Sequence, residues 1–300
     1  MNFRINPVLL KEIKVKMRSW KAAILIGSYN LVLVLLTIFI VRLTMDSNTG
    51  TVSQSSIFGT YAFMVAAQFG LITLIAPALT AGAISGERER QTLDILLSTT
   101  LNHRSIILGK LFSSLSQIIL LIVSSIPIFS IIFLYGGIGI AGLLQVFLFY
   151  ILLAVTLGSV GIFFSTFIKK STAANVLTYA VVVFLYLGTI LISVFYIQLV
   201  IMPDYRNQSY TGTFWVFNLN PALALISLLV QQFGVGTGQI LPGLNIGDTQ
   251  NGLQIWQINA MIDIGISAVL LLLSTWKLNP SGKRWNRKKG STANQEQSIQ

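Results

Sequence analysis

The 300-residue chain has no cysteine, one histidine and only nine acidic residues. Without cysteine there can be no disulfide framework, no thiolate metal site and no cysteine nucleophile. With one histidine, no H-E-x-x-H, no G-x-S-x-G and no carboxylate pair inside an apolar segment, no familiar catalytic constellation can be assembled. A G-x-x-x-x-G-K-[ST] phosphate loop is missing too; Gly234-x-Gly236-x-Gly238 lacks the Lys-Ser/Thr end. The single His103, beside Arg104 in a polar stretch, reads as solvated or partner-facing rather than as a metal ligand. Charge of either sign is scarce. Charged residues make up 10% of the chain, against about a quarter in soluble domains.

What the chain has in excess is apolar sequence. Hydrophobic residues account for 54%, mean hydropathy is +0.76 and the formal net charge is +11. A chain both this apolar and this basic suits a bilayer with its cations gathered on one side. Runs of about 20 apolar residues cross the roughly 30 Å hydrocarbon layer as helices. Six such runs are present: 22–41, 57–84 with Pro77 as an expected kink, 112–134 with Pro127, 143–167, 173–202 and 255–276. The first is too long for a signal-peptide core of about 7–15 residues and reads as a retained span. Trp256 and Trp276 bracket the last, as interfacial anchors do. The predicted class is an all-α integral membrane protein with six transmembrane helices, a single unit over 1–280 and a polar, basic, disordered tail over 281–300.

Sidedness follows from the cations. Arg4, Lys11, Lys14, Lys16, Arg18 and Lys21 precede the first span, and Arg88, Arg90, Arg104 and Lys110 lie between the second and third. Lys169 and Lys170 lie between the fourth and fifth; Lys277, Lys283, Arg284, Arg287, Lys288 and Lys289 follow the sixth. Only Arg42 and Arg206 fall on the other side. The positive-inside rule makes the rich side cytoplasmic, with both termini there, and an even number of spans agrees. The basic excess is thus orientation rather than nucleic-acid affinity. The long stretch 203–254 holds an apolar run, Phe214–Val230, broken by Asn218, Asn220 and Pro221. A seventh span there would carry the basic tail outside, so re-entrant or surface helices are expected. Asn207-Gln208-Ser209 in that stretch matches a glycosylation sequon of little weight.

Four segments carry more information. Val8–Lys21 is amphipathic at helical spacing, with Leu9, Leu10, Ile13, Met17 and Trp20 on one side and Lys11, Lys14, Arg18 and Lys21 on another. Such a helix lies in the inner interface against anionic headgroups, either as a topology anchor or as a lever to something cytoplasmic. The loop Gly86–Lys110 concentrates charge at Glu87, Arg88, Glu89, Arg90 and Asp94. Leu93, Leu96, Leu97 and Leu101 then recur at helical spacing, which predicts a short helix with an acidic start and an apolar ridge needing a cover. A partner groove would supply one. Ala78-x-x-x-Gly82-x-x-x-Gly86, and more weakly Ala154 with Gly158, permit close helix approach, within the chain or across a dimer seam. Asp263 is the one acid inside a span. It is either a hydrogen-bonded packing residue, with Ser267 one turn away, or a contact to substrate or proton.

Gly86-Glu87-Arg88-Glu89, then Thr92-Leu93-Asp94-Ile95-Leu96-Leu97, Leu101 and Leu108-Gly109-Lys110, resemble the permease subunits of type-2 ATP-binding-cassette (ABC) transporters. Asn6-Pro7-Val8-Leu9-Leu10-Lys11-Glu12 and its basic run resemble that family's connecting helix. Thr100 departs from the pattern, which often has Pro after Thr. The resemblance implies that the loop between spans two and three is a coupling helix docking on a separate bacterial-type ATPase subunit. Glu87 and Glu89 would contact that ATPase or the connecting helix, with Arg88 and Thr92 in the same motif. Leu93, Leu96, Leu97 and Leu101 would supply the groove-filling ridge, and Leu10, Ile13, Lys14, Met17 and Arg18 the interfacial connecting helix. It further implies a second permease subunit, membrane lipid as surroundings, export across the cytoplasmic membrane, and ATP and Mg bound only by the partner. The alternative is an ion- or proton-coupled secondary transporter using Asp263, although proton relays usually need several buried titratable groups.

Overall fold

The computed structural model describes residues 19–44, 54–98, 103–134, 139–196, 198–199, 215–234 and 254–278. The N-terminal amphipathic segment with Leu10, Ile13, Lys14, Met17 and Arg18 lies outside the described residues. So do Leu101, Asn207, Gly236, Gly238 and the tail from 281. Every regular element among the described residues is helical, and six helices are long and apolar enough to cross a membrane. Helices are what hydrocarbon demands, because each backbone N–H and C=O must find its partner within the segment.

The first span is α1 (Trp20–Thr44) and the second is α2 (Gln54–Thr80). Two short helices follow, α3 (Ser85–Glu89) and α4 (Leu93–Leu97), then α5 (His103–Ser124) and α6 (Ile126–Leu134). The chain continues through α7 (Ile140–Phe167) and α8 (Ser171–Val183), a π-helical turn at Phe184–Gly188 and α9 (Thr189–Tyr196). A 3₁₀ turn at Trp215–Leu219 leads to α10 (Pro221–Phe233), and α11 (Ile255–Leu278) is the last span. The two span prolines sit differently. Pro77 sits inside α2, which runs on to Thr80. Pro127 lies just past a break at Ser125, where Ser125 N–H bonds back only three residues to Ile122 O and Ile128 N–H restarts on Ser125 O.

α7 is the organising helix. It packs against α11, α2, α5 and α8, and its side chains from Val146 through Thr166 are largely buried. Tyr150 is fully enclosed and donates its hydroxyl to Val65 O at 2.8 Å. Its ring joins an edge-on chain, Tyr150–Phe147–Phe129–Tyr61. The outer surface is the reverse of a soluble protein's. Leu31, Leu35 and Phe39 of α1, Leu191 and Phe195 of α9, and Ile264, Val269 and Leu272 of α11 all point outward. Apolar area on that scale belongs in lipid.

α10 accounts for part of the 203–254 stretch. At 13 residues it is about 20 Å long, too short to span. Asn220 caps it, accepting from Ala222 N–H at 2.8 Å, with Pro221 in the first turn; Gly234 closes it in the left-handed region at φ 61°. Its apolar face, including Leu225 and Leu228, is buried against the bundle. Asn220 also donates to Tyr186 O at 3.2 Å and Thr189 Oγ1 at 2.7 Å. One amide thus ties the start of α10 to the π turn at 184–188 and the first residue of α9.

The closest helix approach is not the Ala78/Gly82/Gly86 stripe. A Cβ at Gly82 would meet nothing within 4 Å. A Cβ at Gly161 would lie 2.9 Å from Thr80 Cβ and 3.1 Å from the Ala81 nitrogen, and one at Gly158 would lie 3.1 Å from Leu111 Cδ1. The tight seam therefore joins the end of α2 to α7. Gly161→Ala is expected to cost about 1–3 kcal/mol by overpacking, read as a lower unfolding midpoint in detergent, whereas Gly82→Ala should cause no loss.

Candidate functional site

Residues 85–98 leave the end of α2 as a two-helix hairpin. α3 and α4 are joined by Arg90–Thr92, with Gln91 in the left-handed region at φ 58°. Closure at the turn comes from Thr92, whose N–H donates to Glu87 O at 2.9 Å. The Thr92 hydroxyl also lies against Glu87, at its backbone carbonyl (3.1 Å) and its carboxylate. The sequence pattern predicts one short helix; the structure makes two, because five residues of α3 end where Gln91 reverses the chain.

Four anchors hold this hairpin against the bundle. Ser165 Oγ of α7 accepts from Ile84 N–H at 2.8 Å and Ser85 N–H at 2.9 Å. Lys110 Nζ of α5 pairs with Glu87 Oε1 at 2.7 Å. Arg88 donates from Nη1 to Ile168 O and from Nη2 to Thr166 O, both at 3.1 Å. Glu89 accepts from Ser171 N–H at 2.9 Å and Ser171 Oγ–H at 2.8 Å. Partial burial alone would raise the Glu87 carboxyl, but the Lys110 ammonium and Thr92 hydroxyl outweigh it and hold it below the usual glutamate value. Hydrogen bonds from Ser171 lower the exposed Glu89 carboxyl.

The candidate residues therefore divide. Glu87, Arg88, Glu89 and Thr92 are engaged inside the chain. Leu93 is buried in the chain's own core, and Leu97 packs half-buried against it. Leu96 is half-buried, while Ile95 stands out at 68% exposure between exposed Asp94 and Ser98. Ile95 was legible only as part of the motif, since it lies off the Leu ridge. Ser165 and Ser171 carried no signal, because their partners are about 80 residues away.

Asp263 occupies a different place. It lies on one face of α11 with Asn259 and Ser267, all buried. Ser267 Oγ on that face donates to Thr156 Oγ1 of α7 at 3.5 Å. Asn259 Nδ2 donates to Asn218 O at 2.8 Å, leaving its Oδ1 buried without a hydrogen-bond partner. Among the described residues no group of three or more His, Cys, Asp and Glu side chains could hold a metal.

With a six-span bundle and a charged hairpin at the mouth of α2 and α5 in place, comparison with known families is decisive. The family model of the ABC-2 family transporter protein matches residues 7–285. The chain belongs to that family. ABC-2 proteins are membrane transport components, so the chain is a multi-pass membrane protein of the ABC transporter class. Among curated proteins, none matches the chain.

The Glu87 node has a defined pH response. A carboxyl held below its unfolded value of about 4.3 contributes stability that is present above that value and lost as pH falls through the lowered one. Amide exchange over 85–98, corrected for its intrinsic rate, should stay constant from pH 8 to 5 and rise below about 4. Lys110→Met, which strands the carboxylate, should raise it at neutral pH by an amount corresponding to about 1–3 kcal/mol.

Proposed function

We propose that this ABC-2 protein is the membrane-spanning permease subunit of an exporter, driven by ATP hydrolysed on a separate ATPase subunit. In this reading the 85–98 hairpin is cytoplasmic, as are both termini, and the protein sits in the cell membrane. Six spans make half of a translocation unit, so a second permease subunit, identical or similar, completes the pathway. ATP and Mg belong to the partner; this chain holds neither. Closure of two ATPase subunits would push on the hairpin of each permease and shift access from one face to the other.

The observation that carries this reading is the hairpin itself. It shows one bare apolar side chain, Ile95, flanked by Asp94 and Ser98, on a base held by four sets of hydrogen bonds to α5, α7 and α8. A projection that is both rigidly based and apolar-tipped suits insertion into a partner groove. The secondary-transport alternative would rest on Asp263 alone, the one acid inside a span, whereas proton relays usually need several buried titratable groups.

Ile95→Glu, alone and with charged replacements of Leu96 and Leu97, should lower co-purification of the cognate ATPase subunit at least tenfold. For Ile95→Glu alone the unfolding midpoint of the permease should be unchanged, because Ile95 contributes little to the core. A complex that survives the triple replacement would show that docking occurs elsewhere.

A further inference from the structure

The turn between α7 and α8 is gripped from both sides by two adjacent residues of the hairpin. On the α7 side, Arg88 reaches Thr166 O and Ile168 O. Carbonyls at a helix C-terminus have no intrahelical donors, and the fork of a guanidinium matches two of them at once. On the α8 side, Glu89 takes both the N–H and the hydroxyl of Ser171. That N–H belongs to the first turn of α8, where donors are equally unmatched and the helix dipole favours an anion. The cation thus sits at the end of one helix and the anion at the start of the next, each the favourable sign. Lys169 and Lys170, between the two contacts, stay exposed.

We propose that Arg88 and Glu89 form a positioning clamp that makes the α7–α8 turn move as one body with the 85–98 hairpin. The covalent chain connects the hairpin only to α2 and α5. Beyond the Ser165 bonds of α7 to Ile84 and Ser85, the clamp joins the α7–α8 turn itself, distant in sequence, as a second entry for force into the membrane. α7 is the helix with neighbours on all sides, and its Thr156, about 15 Å along the axis from Thr166, accepts from Ser267 of α11 at 3.5 Å, on the face that also carries Asp263. A shift imposed at the clamp therefore reaches the buried polar face of α11 through one rigid helix. The clamp as geometry stands alone; its role in transmission rests on the reading that an ATPase presses on the hairpin.

Two measurements decide it. In the full-length permease in lipid nanodiscs, Glu89→Ala should raise amide exchange at 171–174 at least fivefold, and Glu89→Gln by less. Unchanged exchange would overturn the clamp, whether or not an ATPase binds. In the complex with its ATPase, spin labels at Thr172→Cys and Ile24→Cys are unambiguous within a chain that has no native cysteine. Vanadate-trapped nucleotide should shift their separation in the otherwise wild-type permease. Arg88→Ala and Glu89→Ala should each halve that shift or more, with the resting separation kept, and Ser171→Thr should preserve it. A full-sized shift in both clamp variants, or none in the wild-type background, would overturn the transmission role. If no ATPase is recruited by the wild-type permease, the permease reading fails, and the exchange result still decides the clamp.

Discussion

Hydrocarbon offers no hydrogen bonds, so each polar group inside the bilayer has to find its partner within the protein. The rest of the architecture follows from that constraint. It makes the spans helical, and side chains accompany the irregular backbone at two described places. The π turn in the fifth span accepts from Asn220 at Tyr186 O, and the break before Pro127 has Ser125, whose hydroxyl bonds Ile122 O and accepts from Gln68. Many buried hydroxyls bond a carbonyl of their own helix, as at Thr80, Ser159 and Thr178, and other buried polar groups meet across helices, as with Gln68 and Ser125.

The same constraint pushes charge to the ends, and at the basic end it concentrates function. Once the spans have excluded ionic groups, the few charges of the second loop can be arranged for a purpose. The mixed-sign run Glu87–Arg88–Glu89 is engaged inside the chain. It fastens the hairpin to three different helices, leaving a small surface around Ile95 as the exposed apolar part. A flexible loop would absorb a push; a loop pinned at four places passes it on.

Much of this was legible in the sequence, and the limits have physical causes. Span number, helix class and the special character of 86–97 followed from apolar length and charge placement, since bilayer thickness and charge cost act locally along the chain. The helix of the third span begins at His103, ahead of the apolar run 112–134, because polar first turns continue the helix outside the hydrocarbon. Leu93 lay on a ridge expected to face outward and instead completes the core. Periodicity shows that residues share a face; it does not show which body covers that face. The seam at Gly161 and Thr80 and the capture of Ser171 by Glu89 depend on three-dimensional proximity across about 80 residues, which no local pattern encodes. The connecting helix around Ile13 and Lys14 and the ridge residue Leu101 lie outside the described residues.

The central claim is that the hairpin tip is where a separate motor subunit meets this chain. Because the protein has no native cysteine, Ile95→Cys gives one reactive site per subunit. Treating native membranes that carry this variant with a short thiol-to-amine cross-linker is the most direct test. The account predicts one principal adduct, between this chain and a protein bearing a nucleotide-binding phosphate loop, with its yield changing on addition of ATP and Mg. Equal labelling from a cysteine placed at lipid-facing Leu35, or no nucleotide-binding protein in the Ile95→Cys adduct, would contradict it.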